Sequence, residues 1–160
     1  MSVTVRRAVK EDIRQVAGLA VKLVVQHENY DSRRFSRLYD EEQAGWYYGS
    51  QMEAADAAVL VAELEGEIVG FAYLQYEAKD YANLLENAAW LHDIYITEAA
   101  RGQNAGKLLI EKSIAVAKEL GADKLMLSVA AKNELAREFF ERRGFRETMV
   151  EMMLDLTAEH

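Results

Sequence analysis

The stretch from Arg101 to Lys107 constrains this chain more than any other part of its sequence. It has the sequence RGQNAGK, follows an apolar run at residues 89–96 and opens an amphipathic helical pattern that continues to Leu120. A strand, a tight turn and a helix start together present backbone N–H groups that have no acceptor within the helix. The helix dipole adds about half a positive charge there, and Arg101 and Lys107 add two cations. The pattern predicts a diphosphate site at residues 101–107, which we call the glycine loop.

Two common nucleotide-binding loops do not fit the glycine loop. A Walker A loop needs four residues between its glycines, followed by Lys and then Ser or Thr. Here three residues separate Gly102 from Gly106, and Leu108 stands where the magnesium-binding hydroxyl belongs. The dinucleotide fingerprint G-x-G-x-x-G does not fit the spacing either. By itself, the loop is also compatible with a plain helix N-terminus that carries ordinary flanking charges.

A second motif, NELAREFFERRGF at residues 133–145, decides between these alternatives. The two motifs together resemble those of the GCN5-related N-acetyltransferases, which carry R/Q-x-x-G-x-G/A after the fourth strand and N-x-x-A-x-x-F-Y-x-x-x-G-F later. Asn104 departs from the first pattern by replacing a glycine, and Phe140 departs from the second by replacing a tyrosine. The resemblance is specific from about residue 89 to residue 145. The matching residues are Arg101, Gly106, Asn133, Ala136, Phe139, Gly144 and Phe145.

The resemblance implies that acetyl-CoA binds where two parallel strands, residues 89–96 and 124–129, splay apart. Asn133 would hydrogen-bond the cofactor arm, although it is also a suitable helix cap. Asn104 should keep the tight turn, because Asn tolerates the left-handed region better than most residues other than Gly. The cofactor-binding residues implied are Ile94, Tyr95, Ile96, Arg101, Gly102, Gln103, Asn104, Ala105, Gly106, Lys107, Asn133 and Phe140.

His92 and Asp93 are the candidate catalytic residues. Acetyl transfer needs a neutral amine, and an amine with a pKa of about 10.4 is almost fully charged at pH 7. A histidine base suits this task because its ordinary pKa is about 6.5. Adjacent strand residues face opposite sides, so only one of the two can face the acceptor unless a bulge intervenes. His92 could equally be a satisfied strand residue and Asp93 a structural one. Weaker candidates for acceptor contact are His27, Glu28, Tyr30 and Glu77.

Hydrophobic periodicity predicts a mixed α/β sheet flanked by helices, in a single domain over residues 1–160. The resemblance implies six to seven strands, about four helices and splayed central parallel strands. Residues 27–34 and 79–87 are predicted as loops. Strands are predicted at 3–7, 58–63, 68–76, 89–96, 124–129 and 149–156, and helices at 11–26, 35–52, 107–120 and 133–143.

The composition excludes several kinds of functional site. The chain of 160 residues has no cysteine, which excludes disulfides, thiolate metal sites and a cysteine nucleophile. His27, His92 and His160 have no metal-ligand spacing, so no metal is predicted. No apolar run is long enough for a membrane span, and no signal peptide begins the chain, so a cytoplasmic protein is expected.

Charge argues against nucleic acid as a partner. The net charge is −8, and residues 26–87 hold 13 acidic residues against four basic ones, whereas phosphate backbones need clustered Lys and Arg. The acidic segment would attract a cationic substrate; the alternative is a solvated surface that keeps the protein soluble.

The sequence therefore predicts an N-acetyltransferase that moves an acetyl group from acetyl-CoA to a primary amine of a small molecule or peptide. The alternative is a non-catalytic acyl-CoA-binding module of the same fold. His92 on the central strand favours the enzyme. Phe140 favours the module, because phenylalanine cannot protonate a leaving thiolate. A homodimer is left open.

Overall fold

The computed structural model describes residues 2–157 and shows a five-stranded mixed sheet with four α-helices. The strands lie in the order β1-β2-β3-β4-β5, and all neighbours are antiparallel except β4 and β5. Short 3-10 helices lie at Lys10–Asp12 and Glu98–Ala100. The elements are β1 Thr4–Arg7, α1 Ile13–Tyr30, α2 Glu41–Glu53, β2 Ala57–Leu64, β3 Glu67–Asp80, β4 Leu85–Ile96, α3 Ala105–Glu119, β5 Lys124–Leu127 and α4 Glu134–Arg142.

The described residues form two compact units. The first comprises residues 2–23 and 39–128 and contains the sheet, α2, α3 and the first part of α1. Six consecutive residues of β2, Ala57 to Ala62, are buried, as expected for a strand that is covered on both faces. Apolar residues of α1 recur at helical spacing and pack with β2 and β3 around Phe71 and Tyr73. This packing fixes β3, which pairs with β4, the strand that carries the candidate catalytic residues.

The second unit comprises residues 24–38 and 129–157 and contains the end of α1, α4 and an extended C-terminal segment. The predicted strand at 149–156 is wrong, so the sheet has five strands and not six to seven. The segment is instead held by ion pairs from Arg33 to Asp155 at 2.7 Å and from Arg34 to Glu151. Its apolar side chains are exposed, Met152 to 89%.

Several predicted boundaries also change. The first helix continues to Tyr30, so the predicted loop at 27–34 begins within a helix. The second helix begins at Glu41, six residues later than predicted, because Asp40 caps it. The predicted loop at 79–87 is mostly strand, since β3 and β4 extend into a long hairpin. Gly66 and Gly121, which follow β2 and α3, have positive φ angles of 81° and 104°.

None of the helices within residues 2–157 combines the length and the apolar character that a membrane span requires. His160 lies outside the described residues.

Candidate active site

The parallel pairing of β4 and β5 ends half-way along β4. It covers four residues, from Ala88 opposite Lys124 to Leu91 opposite Leu127, while β4 continues to Ile96. Residues 92–96 therefore have β3 on one side and no ladder partner on the other within the described chain. This geometry matches the predicted separation of two central parallel strands.

The open edge of β4 presents the backbone of Ile94 and Ile96. Just beyond the strand, the N–H of Thr97 donates to the Val69 carbonyl at 2.8 Å. In an antiparallel pair, residues alternate between bonding their partner strand and facing away from it. Thr97 bonds β3, so by this alternation Tyr95 also bonds β3. The N–H and C=O groups of Ile94 and Ile96 therefore point to the open side.

A β-bulge places His92 and Asp93 on the same face of the sheet. Asp93 pairs with Tyr73 and Leu91 pairs with Leu74, so His92 is an extra residue between them. The His92 ring stacks on Tyr73 at 5.5 Å between centroids and on Trp90 at 6.2 Å. The sequence allowed His92 and Asp93 to share one face only if a bulge intervened, and the structure has that bulge.

The surroundings keep His92 neutral and Asp93 hydrogen-bonded. His92 is exposed at the sheet surface, but the flanking rings partly desolvate its imidazole and lower its pKa, which the nearby Asp93 charge opposes only in part. The hydroxyl of Tyr48 donates to Asp93 Oδ2 at 2.6 Å. Burial, reinforced by the Asp93 charge, raises the pKa of Tyr48, which therefore stays a donor. A neutral imidazole beside a fixed carboxylate is suited to accept a proton.

Helix α2 supplies further polar groups that the sequence did not indicate. The hydroxyl of Tyr47 lies 2.8 Å from that of Tyr73, which donates to Gln51 Oε1 at 2.8 Å. Because Tyr73 has a single hydroxyl proton, Tyr47 is the donor in the first bond. Tyr47, Tyr48 and Gln51 lie within two turns of one helix, but they form no recognisable motif, and only their helical spacing could have linked them.

The glycine loop has the backbone that a phosphate site needs. Gly102 has φ of 85°, and Asn104 has φ of 66° and ψ of 10°, so both occupy the left-handed region. Asparagine therefore does keep the turn, as predicted. Helix α3 begins at Ala105, two residues earlier than predicted, and its first regular bond runs from the Leu108 N–H to the Asn104 carbonyl at 3.0 Å.

The glycine loop also leaves donors unused. Within residues 2–157, no acceptor contacts the backbone N–H groups of Gly102, Asn104, Ala105, Gly106 and Lys107. The side chains of Arg101 and Lys107 are exposed, and neither has an acidic partner in the described part of the chain. A row of free N–H groups between two unpaired cations fits a diphosphate.

Two residues of the predicted cofactor site lie in the second unit. Asn133 caps α4, because its Oδ1 accepts from the Ala136 N–H at 3.2 Å. Phe140 is buried, with its ring edge-to-face against Phe139 at 5.4 Å and Phe145 at 5.6 Å. The cap is the structural role that the sequence allowed for Asn133, and its contact with a cofactor stays a prediction.

The four weaker acceptor candidates are divided between the two units. His27, Glu28 and Tyr30 lie on the last turns of α1 in the second unit, where Glu28 pairs with Arg37 at 2.8 Å. Glu77 lies on β3 in the first unit, and burial, followed by the Asp80 charge, raises its pKa. No group of three or more acidic or histidine side chains within residues 2–157 could hold a metal ion.

Comparison with known proteins decides which family this site belongs to. The profile of the Acetyltransferase (GNAT) family matches residues 20–145. The chain belongs to the GNAT acetyltransferase family. The match includes the open edge of β4, the glycine loop and the motif at 133–145, which confirms the resemblance inferred from the two motifs.

Relatives and solved structures agree with GNAT membership. An uncharacterised N-acetyltransferase of Methanocaldococcus jannaschii is 29% identical over 150 residues, covering 92% of this chain and 62% of its own length. The chain thus spans less than two thirds of that relative. A tetramutant of the BH1408 protein from Bacillus halodurans has a TM-score of 0.81 at 22% identity, with 96% and 99% of the two chains covered. An aminoglycoside N-acetyltransferase solved with CoA has a TM-score of 0.78 at 18% identity, with 98% and 95% covered.

Proposed function

We propose that this protein is an N-acetyltransferase that transfers an acetyl group directly from acetyl-CoA to a primary amine of a small molecule or peptide. The observation that carries the proposal is the position of His92 where β4 loses its β5 partner, on the same sheet face as the Asp93 carboxylate. Membership of the GNAT family supports the activity, and the unused donors of the glycine loop support the cofactor.

The glycine loop and the open edge of β4 would hold the two ends of acetyl-CoA. The free N–H groups of residues 102 and 104–107 suit the diphosphate, with Arg101 and Lys107 adding charge and Gln103 lying between them. The backbone of Ile94 and Ile96 would bond the amides of the pantetheine arm as an added strand does, with Tyr95 between them. When bound, acetyl-CoA supplies an activated thioester carbonyl.

His92 would act as the base for the amine. An amine substrate arrives mainly as an ammonium ion, and the Asp93 carboxylate favours a cation beside it. The imidazole, neutral because its pKa is lowered, accepts the proton as the nitrogen becomes nucleophilic. Backbone N–H groups on the open edge of β4 are the available donors for negative charge that develops on the acyl oxygen.

The acceptor is proposed as a cationic amine. A structural neighbour, the aminoglycoside N-acetyltransferase AAC(6')-Iy, has been solved with a bisubstrate analogue that joins CoA to an acetylneamine, and this supports an amine acceptor. In our chain the acidic Glu77 and Asp80 lie on the same hairpin as His92 and agree with a cationic partner. Cytoplasmic location and a homodimer stay predictions.

Phe140 favours a second candidate, a non-catalytic acyl-CoA-binding module. Its ring cannot donate a proton to the thiolate that leaves, and general acid catalysis is worth about 10²–10⁴ in rate. A thiol with a pKa of about 8.5 still leaves without such help. The product ammonium, water, Tyr30 or Tyr95 could supply the proton, so the enzyme is the better proposal.

Cofactor binding is tested first. Gly106→Asp places a carboxylate beside the free N–H groups, so CoA should bind at least about tenfold more weakly, as measured by calorimetry. Gly66→Asp adds the same charge in the turn between β2 and β3, outside the glycine loop, and should bind CoA normally. Equal affinity in both variants would exclude the glycine loop as the diphosphate site.

Turnover is tested next. The chain has no cysteine, so a thiol reagent reports only released CoA when an amine panel is supplied. In the parent, kcat/KM should rise with pH as His92 loses its proton, with a midpoint below the ordinary value of about 6.5 because the pKa is lowered. His92→Gln should lose that limb. An unchanged profile in His92→Gln would remove His92 from the mechanism.

A further inference from the structure

The structure assigns a role to Tyr48, which no motif indicated. We propose that Tyr48 is a positioning residue, whose hydroxyl holds the Asp93 carboxylate in place as the counterion of protonated His92. The inference rests on the proposed function, because it takes His92 as the base. When the amine gives its proton to His92, the imidazole becomes a cation, and Asp93 remains ionised beside it until the proton passes to solvent.

Tyr48 is well suited to hold another group in place. Its side chain is only 3% exposed, and its ring packs edge-to-face against Tyr47, Phe71 and Tyr73 at 5.3–5.6 Å. Three such contacts leave the ring little freedom to turn. The hydroxyl oxygen lies 2.6 Å from Asp93 Oδ2, a short distance typical of a bond to an ionised carboxylate.

Asp93 needs such support because it follows a bulge. The extra residue brings the His92 and Asp93 side chains to one face, where a regular strand would place them on opposite faces. A carboxylate that is free to rotate would spend part of its time turned to solvent, and its field at His92 would weaken. The bond from Tyr48 fixes Oδ2 on the sheet face that also carries the His92 ring.

Asp93 is the charged group that faces His92 from the elements packed around it. Strand β3 contributes Tyr73, and α2 with the segment before it contributes Tyr39, Tyr47 and Tyr48. Burial raises the pKa of Tyr73 and of Tyr48, so both are neutral near pH 7. The charge of Asp56 raises the pKa of Tyr73 and of Glu77, whereas the charge that acts on the pKa of His92 is that of Asp93.

The test is an NMR titration of the His92 imidazole in the full chain, with its signal assigned by loss in His92→Gln. Asp93→Asn should lower the pKa of His92 by about 1 unit, because the carboxylate charge is lost. Tyr48→Phe keeps the ring and removes only the hydroxyl, and it should lower that pKa by part of the same amount. Tyr76→Phe removes a comparable hydroxyl bond, to Asn87 at 3.0 Å, and should leave the pKa unchanged.

The double variant Tyr48→Phe, Asp93→Asn separates an indirect role from a direct one. If Tyr48 acts through Asp93, the pKa of His92 in the double variant equals that in Asp93→Asn. A further drop in the double variant, or an unchanged or raised pKa in Tyr48→Phe, would overturn the proposal. If Tyr48→Phe does not fold, the proposal stands or falls with Asp93→Asn, where an unshifted pKa overturns it.

Kinetics then distinguishes this inference from the proposed function. The acidic limb of kcat/KM should move to lower pH in Tyr48→Phe by the same amount as the pKa measured by NMR. If the NMR shifts occur but no amine is acetylated, the positioning role holds and the proposed function fails. If turnover occurs and the NMR shifts do not, the positioning role fails and the proposed function stands.

Discussion

Asn104 shows how one side chain can replace glycine at a demanding backbone position. Its φ of 66° lies in the left-handed region, where a Cβ crowds the neighbouring carbonyl. Asparagine tolerates this conformation better than other residues with a Cβ. The turn that frees the donors of the glycine loop therefore depends on the choice of this residue.

Replacing Asn104 should test that dependence. Asn104→Ala should lower the free energy of unfolding by about 1 kcal/mol, because alanine pays the full penalty for positive φ. Asn104→Gly, the matched control, should unfold at or above the parent's denaturant midpoint and bind CoA at least as tightly, since no Cβ lies near the diphosphate. Equal stability of the alanine variant and the parent would contradict the strain argument.

Phe140 offers a second test at the scale of one residue. Phe140→Tyr adds a hydroxyl to a buried ring, which costs about 1–3 kcal/mol without a hydrogen-bond partner. If the cofactor sulfur is that partner, CoA should stabilise the variant at least as much as the parent, and stopped-flow CoA release should be faster. Phe139→Tyr makes the same change on the neighbouring ring and should not accelerate release. A turnover that does not rise in Phe140→Tyr would show that thiolate protonation is not limiting.

At the scale of elements, α2 connects a capping interaction to the candidate site. The Gln43 N–H donates to Asp40 Oδ1 at 2.8 Å, and the Asp40 N–H donates to Gln43 Oε1 at 2.9 Å. This reciprocal pair fixes where the helix begins. The helix then carries Tyr47 and Tyr48 to the face where His92 lies, so the cap also determines the site.

Removing the cap should therefore affect both stability and activity. Asp40→Ala should lower the free energy of unfolding by about 1 kcal/mol, and it should raise the KM for the amine if fraying of α2 loosens Tyr48. Glu42→Ala, also in the first turn, should change stability by a few tenths of a kcal/mol. Chemical denaturation measures the first effect. Equal losses in the two variants would mean that the Asp40 bonds are not what holds the helix start.

The sequence predicted the parts of the site that depend on local backbone rules. The glycine loop follows from helix termini and left-handed turns, and the central strand follows from its apolar run. The bulge at His92 could not be predicted, because a period of two shows no sign of an extra residue. Tyr48 escaped notice because its partner Asp93 is 45 residues away.

In the C-terminal segment, the sequence predicted a strand that the structure lacks. Its apolar residues have the composition of a strand, and the sequence predicted one at 149–156. Whether an extended segment becomes a strand depends on a neighbour that completes its hydrogen bonds, and side-chain pattern does not reveal that neighbour. In the structure, ion pairs from Arg33 and Arg34 to two acidic residues hold the segment instead.

At the scale of the whole molecule, a buried carboxylate makes the fold sensitive to acid. Asp12 is 6% exposed and accepts bonds from both terminal nitrogens of Arg6, at 2.7 and 3.2 Å, and from the Val9 N–H at 2.8 Å. The bond from Arg6 and that from Val9 hold the pKa of Asp12 below its usual value. These contacts join β1 to the start of α1.

The direction of the pH effect follows from this lowered pKa. Asp12 contributes its full stabilisation at pH values above the unfolded pKa of about 3.9, and the contribution is lost as pH falls through the folded value. Asp12→Asn should lower the free energy of unfolding at pH 7 by about 1–2 kcal/mol, and the gap to the parent should close in denaturant titrations below about pH 4.

An exposed ion pair provides the control for Asp12. Glu119 pairs with Arg7 at 3.4 Å, and both side chains are about half exposed. Glu119→Gln should therefore cost less than about 0.5 kcal/mol at any pH. A gap for Asp12→Asn that stays constant from pH 7 to pH 3 would show that its stabilisation does not depend on ionisation.

The bulge in β4 also bears on how such a site is gained and lost. Because His92 is an extra residue opposite no partner, a deletion of this single codon would leave Asp93 opposite Tyr73 and Leu91 opposite Leu74. Insertions and deletions inside a central strand normally shift every side chain beyond them to the wrong face. Here a one-residue deletion would instead give a regular ladder that lacks the proposed base. In evolutionary terms, an enzyme and an inert relative of the same fold are then separated by a single change in length.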